Sequence, residues 1–146
     1  MGGLFSLEDL MSVRQLSVFV ENKTGHLAAA LGTLGEGGVN VLSFTIADTT
    51  DYGILRLIVD QADLAKELLT KGDYAVVEHR VVCALVPNEP GVLAEIARLI
   101  AESSIDIDYL YLGTGDSLLL KAEEYEELEA LLVSRGFRVL QTDEPA

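Results

Sequence analysis

The chain has 146 residues, of which 24 are acidic and 10 are basic, giving a formal net charge of −14. A chain this acidic is repelled by nucleic-acid phosphates and by anionic lipids, so we expect neither a nucleic acid nor a membrane among its partners. The single cysteine, Cys83, excludes an intramolecular disulfide and a thiolate metal site, and no cofactor is expected. We expect a cytoplasmic protein, since no apolar run reaches the ~18 residues of a membrane-spanning helix.

An extension of residues 1–13 precedes the first predicted unit, which covers residues 14–78. Alternation of apolar and polar residues predicts its strands, and leucines at helical spacing, such as Leu27, Leu31 and Leu34, predict its helices. A run of glycines after Leu34 ends the first helix. The strands are predicted over residues 15–21, 39–47, 53–60 and 74–78, and the helices over residues 27–34 and 62–71.

The second predicted unit covers residues 79–146 and repeats the same order of elements. Its strands are predicted over residues 80–86, 106–113, 117–121 and 137–141, and its helices over residues 90–103 and 123–135. The order strand–helix–strand–strand–helix–strand is the ferredoxin-like arrangement. Its duplication predicts an α+β fold of two βαββαβ units in tandem, each with an antiparallel sheet that carries its helices on one face.

The strands of both units carry apolar residues on both faces. Residues 81–86 are apolar throughout, and simple alternation places Leu42, Phe44 and Ile46 on the face opposite Val41. A sheet with one solvated face alternates more cleanly than this. We therefore expect a second copy of the chain to cover the face without helices, which predicts a homodimer.

A short motif recurs in both units between the first strand and the first helix. Asn22-Lys-Thr-Gly25-His-Leu27 returns about 66 residues further on as Asn88-Glu-Pro-Gly91-Val-Leu93. The N–H groups that begin a helix lack intrahelical partners and favour an anion such as a carboxylate. Asparagine offers a donor and an acceptor, and glycine lets the backbone approach a ligand closely. The motif therefore suits a zwitterionic ligand, although an asparagine that only caps the helix or turns the chain explains it too.

The whole arrangement resembles the ACT domain in its small tandem form. The resemblance spans residues 14–141 and depends on the two loop motifs, on Gly38-Val-Asn40-Val41 and on Ile105-Asp106-Ile107. The first loop departs from the family pattern at Thr24, where the family usually has proline. The resemblance implies a regulatory module that binds an amino acid between the loop of one domain and the start of the second strand of its neighbour.

That family rule implies two candidate sites, each made of one loop and the start of one second strand. The residues implied for the first site are Asn88, Glu89, Pro90, Gly91, Val92, Leu93, Asn40 and Val41. The residues implied for the second site are Asn22, Lys23, Thr24, Gly25, His26, Leu27, Asp106 and Ile107. An ionised Asp106 stands where the family often has asparagine and repels a ligand carboxylate, so we favour the first site.

The resemblance also implies a non-catalytic protein, whose partners are a free amino acid, a second copy of the chain and a metabolic enzyme that it regulates. An acylphosphatase-like enzyme resembles this topology but needs an arginine in the glycine loop, where this chain has Lys23 and Glu89. An RNA-binding sheet of the RRM kind needs a basic, aromatic strand, which the acidic balance argues against. A structural or partner-binding dimerisation module without a small ligand is the alternative that the sequence leaves open.

Overall fold

The computed structural model describes residues 13–21, 25–48 and 51–140. The strands within these ranges are β1 (Arg14–Glu21), β2 (Val41–Asp48), β3 (Tyr52–Val59), β4 (Ala75–Arg80), β5 (Val82–Leu85), β6 (Tyr109–Leu112), β7 (Ser117–Lys121) and β8 (Arg138–Leu140). The helices are α1 (His26–Glu36), α2 (Ala62–Lys71), α3 (Val92–Ser103) and α4 (Tyr125–Ser134). This is the predicted order, so the α+β tandem of ferredoxin-like units is confirmed.

The chain divides into two compact units. The first unit is Arg14–His79, and the second unit contains Val13 together with the chain from Arg80 onward. Each unit holds one four-stranded antiparallel sheet, in the order β2-β3-β1-β4 or β6-β7-β5-β8. Because β5 and β7 are neighbours in the second sheet, the loop after β5 lies beside the hairpin that begins β7.

Equivalent residues form the core of both units, on the sheet face that carries the helices. In the first unit Leu16 pairs with Leu57 and Val18 with Leu55. In the second unit Val82 pairs with Leu120 and Ala84 with Leu118. These residues are fully or almost fully buried together with helix residues, including Leu34, Leu69, Ile96, Leu128 and Leu132. The duplicated sequence therefore builds the same packing twice.

One strand breaks the simple alternation that the sequence predicts. The pairing of β2 with β3 shifts its register between Val41 and Ser43, which is the signature of a β-bulge at Leu42. Beyond the bulge Phe44 pairs with Leu57 and Ile46 with Leu55, so both lie on the helix-bearing face. The prediction that they lie opposite Val41 was therefore wrong, because one extra residue returns the strand to the same face.

Several residues on the face without helices have little exposed surface in both units. Cys83 and Leu119 are paired neighbours on that face of the second unit, and both are fully buried. In the first unit Gln15 and Ile58 are 0% and 1% exposed. The second copy of the chain predicted to cover this face is neither required nor contradicted by these values. The homodimer itself stays a prediction. Burial of Cys83 raises the pKa of its thiol to about 12.

An ion-pair network ties three elements of the first unit together. Arg14 in β1 donates from Nε and Nη2 to the two carboxylate oxygens of Glu78 in β4, at 2.7 and 3.0 Å. Its Nη2 also lies 2.6 Å from Oδ1 of Asp63 in α2. Lys66 of the same helix donates to Glu78 at 3.0 Å. The hydrogen bond from Arg14 is the main cause that lowers the pKa of Glu78 to about 2, with a further contribution from Lys66.

Replacing Glu78 by glutamine removes the acceptor that both cations share. Hydrogen bonds to charged groups contribute about 1.5–3 kcal/mol each, and partial exposure lowers that value, so we expect Glu78→Gln to cost roughly 1–2 kcal/mol at pH 7. A carboxylate with a lowered pKa stabilises the fold above its unfolded pKa, and that stability is lost as the pH falls. Urea unfolding should therefore show wild-type stability falling between pH 4.5 and about 2, while the variant loses less over the same window.

The matched control is Glu67→Gln, which removes an exposed carboxylate that pairs with Lys71 one helical turn away. An exposed pair of this kind contributes about 0–1 kcal/mol. Equal losses for the two variants, or identical pH profiles for wild type and Glu78→Gln, would contradict a stabilising role for the network.

Candidate functional site

Both recurring loops end in a glycine with the same unusual backbone conformation. Gly25 has φ 91° and ψ −16°, and Gly91 has φ 91° and ψ −12°, and each is the residue before its helix. An L-residue with a side chain rarely adopts this left-handed region. A Cβ at Gly91 would meet no described atom within 4 Å. The glycine is therefore needed for its backbone conformation, and it leaves open space at the start of the helix.

The start of α3 has N–H groups available for a ligand. The Val92 N–H donates to the Glu89 carbonyl at 3.3 Å, and the Glu95 N–H makes the first helical bond to Gly91 at 3.0 Å. The N–H groups of Leu93 and Ala94 lie in the first turn, where no intrahelical acceptor exists. Over this fully described loop no side chain caps the helix. Asn88 therefore does not cap this helix, whereas the alternative that it only turns the chain stays open.

A cavity of about 250 Å³ lies beside this helix start. Its lining residues come from the end of β5 and the following loop, the start of α3, and the β6–β7 hairpin. They are Val86, Pro87, Asn88, Glu89, Leu93, Leu112, Gly113, Asp116 and Ser117. Of the predicted residues of this loop, Asn88, Glu89 and Leu93 line the cavity, whereas Pro90, Gly91 and Val92 do not.

The lining combines exposed leucines with acidic groups. Leu93 and Leu112 are 47% and 58% exposed, which is high for large apolar side chains. Glu89 and Asp116 are the charged members, and none of the nine lining residues, all in the described part of the chain, is basic. Ser117 is fully buried and its hydroxyl donates to the Thr114 carbonyl at 2.7 Å. The cavity therefore offers apolar contact and negative charge beside a helix start that favours an anion.

Asp116 is held in place by the backbone of the hairpin. It has φ 51°, a left-handed conformation in which aspartate is enriched among residues with side chains. Its carbonyl accepts a hydrogen bond from the Val86 N–H at 2.8 Å, and the Gly113 N–H donates to Ser117 at 2.9 Å. The sequence prediction missed Asp116 and Leu112. The turn sequence Gly113-Thr-Gly115-Asp116 was the available signal, because the third strand neighbours the first in this fold.

Asn40 directly precedes β2, whereas Asp106 lies three residues before β6. Asn40 donates its N–H to the Asp60 carboxylate at 2.9 Å, and its carbonyl accepts from the Asp60 N–H at 3.1 Å. The residues two positions before Asn40 and Asp106 are both left-handed, Gly38 with φ 85° and Ser104 with φ 67°. Both Asn40 and Asp106 are exposed.

The neighbouring apolar residues of the predicted sites have structural contacts. Val41 and Leu27 pack against the core of the first unit, and Ile107 packs against that of the second. Their packing positions the loop and strand starts. Whether they also touch a ligand stays a prediction.

The first loop is described only in part. Asn22, Lys23 and Thr24 lie outside the described residues, so their predicted roles stay predictions. His26 begins α1, and its Nδ1 lies 3.9 Å from the Glu21 carboxylate.

Residues 11–144 match the family model described as an ACT domain pair. The chain therefore belongs to the ACT domain pair family, and the resemblance deduced from its motifs is confirmed. No curated protein matches the chain.

Solved structures share this fold. The structure of protein BT0572 from Bacteroides thetaiotaomicron is 28% identical with a TM-score of 0.83, and the match covers 92% of this chain and 95% of that one. The regulatory subunit of aspartate kinase from Thermus thermophilus is 17% identical with a TM-score of 0.65, covering 86% and 93%. That from Thermus flavus is 17% identical with a TM-score of 0.62, covering 83% and 90%. At 17% identity these two show the shared fold alone.

The described residues contain no group of three or more histidine, cysteine, aspartate or glutamate side chains placed to hold a metal ion. None of the described helices has the length and apolar character needed to cross a membrane.

Replacing Gly91 by alanine tests the requirement for a left-handed residue. Gly91→Ala should destabilise the fold by about 1–2 kcal/mol, because an L-residue is strained at this φ although its Cβ has room. Gly32→Ala is the matched control, since Gly32 lies inside α1, also with open space around a Cβ. That variant should gain about 0.5–1 kcal/mol. Urea unfolding measures both, and the same sign for the two substitutions would contradict the explanation.

Proposed function

We propose that the protein is a non-catalytic regulatory protein that binds a free amino acid in the cavity beside α3. The observation that carries this proposal is the combination, at the recurring loop, of an uncapped helix start with a cavity whose lining includes both apolar and acidic residues. The N–H groups of Leu93 and Ala94 suit the ligand carboxylate. The Asn88 amide can donate to that carboxylate or accept from the ammonium group.

The size of the cavity fits a ligand of this class. Pockets for drug-sized molecules have volumes of about 300–1,000 Å³, and this cavity is smaller, at about 250 Å³. A ligand that removes the half-exposed side chains of Leu93 and Leu112 from water lowers the free energy of the complex. A small zwitterion with an apolar group satisfies the helix start and covers these leucines together.

The side chains around the cavity support binding without catalysis. The lining residues include no histidine, cysteine or lysine, and the Ser117 hydroxyl is occupied by its bond to a backbone carbonyl. No lining pair therefore has the nucleophile-and-base arrangement that covalent catalysis requires.

A regulatory role is supported by fold-level analogy. Two solved structures with this fold are regulatory subunits of aspartate kinase. We extend from them only the class of role, in which a cytoplasmic ligand-binding chain acts on a metabolic enzyme. The acidic surface favours solubility and disfavours nucleic acid and anionic membranes as partners.

The proposed homodimer has new support from the edge strands. Phe44 and Ile46 in β2 are 51% and 38% exposed, and Leu110 and Leu112 in β6 are 50% and 58% exposed. In both units these residues are paired with equivalent core leucines of the neighbouring strand. An apolar edge that recurs in this way suits pairing with another chain.

A second candidate is a dimerisation module without a small ligand. It is favoured by the same exposed leucines, because a protein surface that covers Leu93 and Leu112 removes them from water as well as a ligand does. A dimerisation module does not explain why the helix start is left uncapped, and for that reason we prefer the amino-acid site.

A thermal-shift screen against the twenty amino acids tests the proposal. A ligand at 100 times its Kd adds roughly 2.7 kcal/mol, which should raise the Tm by several degrees for a chain of this size. In a titration with the ligand that the screen finds, Asn88→Ala should weaken binding at least about fivefold, the loss of one hydrogen bond. Ser134→Ala, an exposed change in α4, is the control and should leave the affinity unchanged. A flat screen would favour the dimerisation module.

Asn40→Ala tests the prediction that Asn40, at the start of the second strand, contacts the ligand. The Asn40 backbone is held by Asp60, and its side chain is exposed, so the variant should keep the stability of wild type. Calorimetric titration with the amino acid found in the screen should show weaker binding. An unchanged Kd would remove Asn40 from the site.

A further inference from the structure

We infer that the cavity selects an amino acid with an uncharged, apolar side chain, and that Asp116 holds the α-ammonium group of that ligand. This inference rests on the proposed amino-acid site and adds its specificity. It uses a residue outside the recurring motif, on a hairpin that the loop-based prediction did not include.

The charges of the cavity argue against an acidic ligand. Two acidic residues, Glu89 and Asp116, are among its nine lining residues, and no basic residue of the described lining offsets their charge. A ligand with a single carboxylate places it at the N–H groups of the first turn of α3. A second carboxylate, as in glutamate or aspartate, would be brought close to Glu89 and Asp116 without a cation of its own, and like charges at short range repel.

Asp116 is placed to receive an ammonium group. It lies on the β6–β7 hairpin, whereas the anion-favouring N–H groups belong to α3, and both elements border the same cavity. The two ends of a zwitterion therefore find opposite preferences on two different elements. The left-handed conformation of Asp116 and its bond from Val86 fix the backbone before a ligand arrives, and a group fixed in advance loses less freedom on binding.

The remaining lining favours an apolar side chain over a basic one. Val86, Leu93 and Leu112 contribute aliphatic surface, of which the two leucines are about half exposed. An apolar ligand side chain covers that surface. A lysine or arginine side chain covers the same surface only with its methylene groups, because its charged end stays in water.

The experiment is calorimetric titration of wild-type protein and Asp116→Asn with leucine, valine, phenylalanine, glutamate and lysine. Asparagine has nearly the same shape, is tolerated in the left-handed region and removes only the charge. Wild type should bind at least one of the apolar amino acids more tightly than glutamate or lysine. Asp116→Asn should bind that amino acid at least about tenfold more weakly, because a charge-assisted hydrogen bond is lost.

The same titration with 4-methylpentanoate, the analogue of leucine without its amino group, isolates the ammonium contact. Asp116→Asn should bind this analogue no more weakly than wild type does. The matched control is Asp73→Asn, at another exposed aspartate with a left-handed conformation, φ 69°, in the turn after α2. The control should bind every probe as wild type does.

The outcomes separate this inference from the proposed function. If an apolar amino acid binds wild type and Asp116→Asn equally, the role of Asp116 is overturned and the amino-acid site stands. If glutamate or lysine binds most tightly, the proposed selectivity is overturned. If none of the twenty amino acids binds, the proposed function fails and this inference fails with it.

Discussion

The left-handed glycine at the end of each first loop is the constraint on which the site depends. Gly25 and Gly91 share φ 91°, and at this φ a residue with a side chain is strained. The glycine turns the chain from the first strand directly into a helix and carries no side chain that could cap it. The first turn of α3 therefore keeps N–H groups for something outside the helix. Duplication of the loop copied this geometry, and the second copy places it beside a cavity.

Much of this arrangement follows from sequence pattern, because periodicity and the recurring loop report local backbone geometry. The β-bulge at Leu42 could not be predicted in this way, because the alternation of a strand does not show which residue is left without a partner on the neighbouring strand. The sequence also does not show what covers the sheet face around Cys83. Apolar residues on both faces of a strand indicate that the second face is covered, but they do not identify the partner. The loop motif does not point to Asp116, which lies on a hairpin about 25 residues later in the chain. The strand order of the sheet places that hairpin beside the loop.

Leu112 connects the cavity with the edge of the sheet. It lines the cavity and ends β6, an edge strand with exposed leucines. A ligand that covers Leu112 changes the apolar surface that this edge offers to another chain. Differential binding of a ligand to two association states is what couples ligand binding to assembly. The proposed regulatory role therefore has a physical route in this unit, from the helix start through one leucine to the edge strand.

The central claim is that an amino acid binds between the first turn of α3 and the β6–β7 hairpin. Titration of ¹⁵N-labelled protein with leucine, followed by ¹H–¹⁵N correlation spectra, tests it most directly. Binding at this place should give saturable changes that are largest at the amides of Leu93, Ala94 and Asp116, with smaller changes in α4. Saturable changes centred elsewhere, with those three amides unmoved, would rule out a ligand at this place.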